Sequence, residues 1–128
     1  MSGSTKLFTT LIRTHHITSR KKLQRVKKAA GQCKLPFVLI RSGGPPGVMY
    51  AEGPDEKCVS DWVCAVRALR YKMFKCEHPP AAYEVRDVNQ TKAHVFEEVT
   101  SVAEFAERMK QRGLDAWWRS GMNYRSSD

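Results

Sequence analysis

Three observations predict an α+β domain. Short apolar and β-branched runs alternate with two segments of helical periodicity. A Gly-Pro turn, "SGGPPG", joins the second and third runs as a hairpin. A further helical pattern follows the last run.

Taken in order, residues 1–4 read as a flexible end, and "KLFTTLI" (6–12) fits a strand. Thr18 or Ser19 is placed to cap a helix through "RKKLQRVKKAA". Leu23, Val26 and Ala30 give that helix one narrow apolar stripe, with basic residues around the rest, and Gly31 marks its end. Residues 37–41 and 48–52 form the hairpin strands. The segment "GPDEKCVSDWVCAVRALRYKMF" is the clearest helix. Pro54 suits its first position, Asp55 and Glu56 its first turn, and Arg67, Arg70 and Lys72 its end. Cys58, Val59, Trp62, Val63, Val66 and Leu69 make its apolar face. A short strand in 71–77 is expected to break at "HPP". Residues 81–99 read as an irregular excursion with one more short strand. Ser101 caps a third helix, Glu104 completes a capping box, and Gly113 stops it. "DAWWRSGMNY" adds a final helical turn, in which one of Trp117 and Trp118 is buried and the other exposed or covered by the tail. Residues 123–128 read as a flexible tail, leaving one domain over 5–122.

Strand, helix, strand, strand, helix, strand is the split βαβ, or ferredoxin-like, order. It predicts an antiparallel sheet with two helices on one face, because right-handed crossovers place both there. The other face is open for a ligand or covered by the C-terminal helical extension.

Composition is that of a globular chain, with 41% hydrophobic and 27% charged residues. No apolar run reaches the roughly 18 residues of a membrane span, and the first residues lack a secretory pattern. Cys33, Cys58, Cys64 and Cys76 lie among apolar residues at spacings that fit no zinc motif, so reduced thiols in the nucleus or cytoplasm are expected. Charge is unevenly distributed. The net is +9, yet residues 1–51 hold ten Lys or Arg and no acid, while 52–128 hold twelve basic and thirteen acidic residues. A one-sided basic field fits an acidic partner, nucleic acid first.

The stretch "HHITSRKKLQRVKKAA" concentrates that charge, with six Lys or Arg and no acid. Like charges at i and i+4 repel in an isolated helix, and a phosphate backbone would relieve them. His15 and His16 face opposite ways if extended, which disfavours shared metal chelation and leaves a phosphate or base contact open. No catalytic motif is present. "SGGPPG" lacks the Lys-Ser/Thr of a phosphate loop and precedes a strand, and Glu97 and Glu98 alternate as surface residues. A non-enzyme with no cofactor and no metal is expected. "GVMYAEG" also lacks the aromatic pattern of an RNA recognition motif.

Together, "HHITSRKK" after a strand, "PGVMYAEG" leading into "DWVCAVRALRYK", and a late "RGLDAWW" resemble a known family over about residues 7–118. It is the C-terminal domain family shared by the splicing factor pre-mRNA-processing factor three and RWD-domain-containing protein two, and the likeness is closer to the RWD-associated branch. The resemblance implies a ferredoxin-like fold with extra elements. It also implies RNA as partner, in the splicing factor a small nuclear RNA duplex with a single-stranded overhang, within a ribonucleoprotein complex.

The expected function is therefore non-catalytic RNA binding. Arg20, Lys21, Lys22, Arg25, Lys28 and Arg41 would meet phosphates, and His15, His16 and Tyr50 would meet bases or sugars. The alternative is a protein-interaction module of RWD-associated type with no nucleic-acid role, using an apolar patch around Trp117, Trp118 and Met122.

Overall fold

The computed structural model describes residues 4–86 and 94–124. The elements run β1 (Ser4–Thr14), α1 (Arg20–Gln32), β2 (Phe37–Arg41), β3 (Gly47–Gly53), α2 (Glu56–Ala68), β4 (Lys75–Arg86), β5 (Val95–Val99), α3 (Val102–Gln111) and α4 (Asp115–Met122). The five strands form one sheet in the order β4-β1-β3-β2-β5. β3 lies antiparallel between β1 and β2, and β4 pairs antiparallel with β1. The chain is thus α+β, consistent with a ferredoxin-like arrangement extended by β5, α3 and α4. No helix among the described residues is long and apolar enough to cross a membrane.

Each sheet face has its own core. Alternation along β3 sends Met49 and Ala51 to one side and Val48, Tyr50 and Glu52 to the other. The first side packs on Leu23 and Val26 of α1 and Val59, Trp62 and Val66 of α2. The Trp62 indole N–H donates to the Val26 carbonyl at 3.3 Å, tying the two helices. The second side packs on Phe105 and Met109 of α3 and Trp117, Trp118 and Met122 of α4.

Four expectations need correction. The sheet is mixed, because β5 pairs parallel with β2. β4 does not break at "HPP" but continues to Arg86. It is an edge strand, where proline needs no ladder donor, and the register shifts between Thr9 and Ile12 accommodate Pro79 and Pro80. Asp55, not Pro54, opens α2, its side chain accepting from the Lys57 amide at 2.9 Å. Both C-terminal tryptophans are buried, and with Met122 they form core, not an exposed patch. Trp117 stacks on His78, centroids 4.5 Å apart, and the His78 Nε2–H donates to its carbonyl at 2.7 Å.

The covered face also relocates Tyr50, which is fully buried. Its hydroxyl donates to Glu52 Oε1 at 2.5 Å. Glu52 accepts from Arg112 Nε at 2.9 Å and from the second arm of the same guanidinium, which lies 4.2 Å from the centre of the Phe37 ring. Burial and the adjacent Glu52 carboxylate push the Tyr50 phenol far above its ordinary range, so it stays a donor. This buried triad fastens the end of α3 to the sheet. Ser4 already belongs to β1, opposite Arg86. The remaining terminal residues assigned as flexible, 1–3 and 125–128, and the middle of the excursion, 87–93, lie outside the described residues.

Candidate nucleic-acid interface

One end of the sheet gathers the finish of β1, the start of α1, the β2–β3 turn, the finish of α2 and the start of β4. The segment after β1 is fixed there by backbone bonds. The His15 amide donates to the Lys72 carbonyl at 2.8 Å, and Ile17 and Gly43 exchange both backbone bonds at 3.1 and 2.8 Å. Gly47 lets "PGVMYAEG" pack closely against "HHIT". A Cβ at Gly47 would sit 2.2 Å from Thr14 Oγ1 and 3.1 Å from the His16 carbonyl carbon.

His15 and His16 do not lie in a strand. Their half-buried rings meet edge to face with centroids 5.1 Å apart. They stand between two hollows. His15 lines a groove of about 250 Å³ with Arg13, Thr14, Pro45, Pro46, Met73, Lys75 and Glu77. His16 lines a notch of about 280 Å³ with Thr18, Ser19, Lys22, Arg70, Tyr71 and Lys72.

Ser19 starts α1 by accepting from the Lys22 amide at 3.1 Å. Of the basic residues on α1, only Arg20 has a carboxylate partner among the described residues. Arg20 grips Glu98 with two bonds, at 2.8 and 3.0 Å, and Ser42 donates to the same carboxylate. The Arg20 bond, then that from Ser42, holds Glu98 below the ordinary carboxylate range, and the Glu98 bond raises Arg20. Lys22 lies over the Tyr71 ring at 5.1 Å and Lys27 over Phe96 at 6.0 Å. Lys21, Arg25 and Lys28 are exposed and make no ion pair with any described residue.

Of the sequence-derived residues, His15, His16, Arg20, Lys21, Lys22, Arg25 and Lys28 share this end and the outer side of α1. Arg41 reaches the same end but is committed to its own turn. Its Nε donates to the Thr100 carbonyl at 3.0 Å, and its Nη1 to the carbonyls of Pro46, at 3.1 Å, and Gly44. Tyr50 lies away from the site, under α4. Arg13, Arg70, Lys72 and Lys75 also belong here and were missed. Their signal was topological: a helix returning antiparallel to β3 must end beside the start of α1. Beside these cations the two hollows hold one carboxylate, Glu77, 3.7 Å from Lys75. Such a surface attracts polyanions.

No protein-family model matches the chain, and the comparison with curated proteins finds no match.

Proposed function

We propose that the chain is a non-catalytic RNA-binding domain. The phosphate backbone lies along the exposed side of α1 and turns onto the basic end of the sheet, where the histidine pair meets sugar or base. One observation carries this reading: Lys21, Arg25 and Lys28 stand in solvent on one helix without a carboxylate among the described residues. The uncompensated repulsion along α1 is relieved when counterions are exchanged for phosphates. The resemblance to the splicing-factor domain family supports the same partner, a duplex with an overhang inside a ribonucleoprotein. It agrees with a nuclear or cytoplasmic protein whose four thiols are free.

The interaction-module alternative relies on Trp117, Trp118 and Met122, which are core residues at 9%, 1% and 1% exposure. No observation favours it. The test is fluorescence anisotropy with labelled single-stranded, duplex and overhang RNA, each at two salt concentrations. Binding that weakens steeply with salt is expected. Absence of binding at low salt, or affinity indifferent to salt, refutes the proposal.

A further inference from the structure

The notch beside His16 has features that general attraction to a phosphate backbone does not require. Lys22, Arg70 and Lys72 come from three separate places, the first turn of α1 and two positions in the α2–β4 loop, and none of the described residues lining the hollow is acidic. Tyr71 lines it too. That residue is only 6% exposed, and its hydroxyl is a buried polar atom without a hydrogen-bond partner among the described residues. Buried polar groups are nearly always satisfied, so the hydroxyl of this lining residue is a donor that lacks an acceptor. Burial pushes the Tyr71 phenol up to about 12, which keeps its proton in place at neutral pH. Arg70 adds a second oddity. It follows the C-cap of α2 at φ 59°, a left-handed position that glycine fills without strain.

We infer that this notch binds a terminal phosphate monoester of an RNA chain, with Tyr71 Oη, Lys22, Arg70 and Lys72 as its donors. The inference rests on the RNA reading above and deepens it. A monoester carries about −1.5 to −2 charges near neutral pH, against −1 for each internal diester, and so matches a hollow with three cations better. The start of α1, a helix of 13 residues, adds its positive end. Across the histidine pair, Pro45, Pro46 and the exposed Met73 give the second hollow apolar surface on which a neighbouring base can lie. That second hollow favours a nucleotide end over a phosphorylated peptide.

The test compares one RNA sequence bearing a 5′-phosphate, a 3′-phosphate or hydroxyls at both ends, by competition anisotropy against the full chain. One of the phosphorylated forms is expected to bind about tenfold tighter than the hydroxyl form, the effect of one charge-assisted hydrogen bond. Tyr71→Phe removes a hydroxyl with no partner among the described residues, and Arg70→Gly relieves a left-handed residue, so both variants fold. Each should abolish the phosphate preference. Equal affinity for all three ends, or a preference that survives in both variants, overturns this inference alone. A phosphoserine peptide that binds tighter than the phosphorylated RNA also overturns it. Loss of all RNA binding at low salt overturns it together with the RNA reading.

Discussion

Replacing Lys21, Arg25 and Lys28 with alanine together tests how much of the binding resides on α1. The three lie at i, i+4 and i+7, hence on one side of a helix that spans Arg20–Gln32. At 1.5 Å per residue they cover about 10 Å. Phosphates on one strand of a duplex recur every ~3.4 Å along the axis, so three cations face roughly three phosphates. Each neutralised phosphate contributes about 0.9 to the salt slope on duplex and about 0.7 on a single strand. The triple variant should therefore lose between about 2 and about 3 from the slope of log affinity against log salt. Between 50 and 200 mM salt, a change of 2 in slope is roughly a fifteenfold difference in how far affinity falls. The assay is anisotropy across four potassium chloride concentrations, with a thermal melt as the control for folding. Melting temperature should stay level or rise, since alanine is the better helix former and like-charge repulsion is relieved. A slope equal to that of the parent chain would show that these cations touch no phosphate, and the placement of RNA along α1 would be wrong.

Three further outcomes follow from the packing. Arg112→Ala leaves the Glu52 carboxylate buried opposite Tyr50 without its partner and should cost about 3–5 kcal/mol, read from urea unfolding. Gly47→Ala forces a methyl against Thr14 Oγ1 and the His16 backbone, and should cost about 1–3 kcal/mol while moving the His15 and His16 amide resonances. The Arg20–Glu98 pair gives an acid-limb prediction: Glu98 is lowered when folded, so its stabilisation is present above the ordinary carboxylate value, about 4.3, and is lost as pH falls through the lower folded value. Melting temperatures from pH 7 to pH 2 should therefore fall less steeply in Glu98→Gln than in the parent.

The helices and the hairpin were legible because their signals are local. Ser19 and Ser101 each cap a helix through their own side chains, and periodicity marks the buried stripe of α1 at Leu23, Val26 and Ala30. What failed depended on position within the sheet. Two successive prolines end a strand with neighbours on both sides but are tolerated in β4, which has β1 alone beside it. Period-two alternation places Tyr50 and Glu52 on one face of β3. It does not say that α3 and α4 cover that face, which is why Tyr50 read as a base contact and proved to be core. In the same way the α1 cations were visible as a run, whereas Arg13, Arg70, Lys72 and Lys75 are scattered over 63 positions and meet only through the crossovers.

The second half of the chain is nearly neutral, and it could in principle have supplied the carboxylates that the first half lacks. Five of its thirteen acids pair with cations of the same half. Of the six ion pairs among the described residues, five join partners within 52–128: Lys57–Asp61, Lys75–Glu77, Arg108–Glu97, Arg112–Glu52 and Arg119–Asp115. Only Arg20–Glu98 crosses to the basic segment. Glu97 and Glu98 make the division visible within one strand, since β5 turns one to Arg108 on α3 and the other to Arg20 on α1. A chain selected only for a soluble surface would intersperse the signs on α1, because doing so costs nothing and relieves repulsion there. With Lys21, Arg25 and Lys28 left without a carboxylate among the described residues, the field of α1 is directed outward, and it draws a partner that brings negative charge.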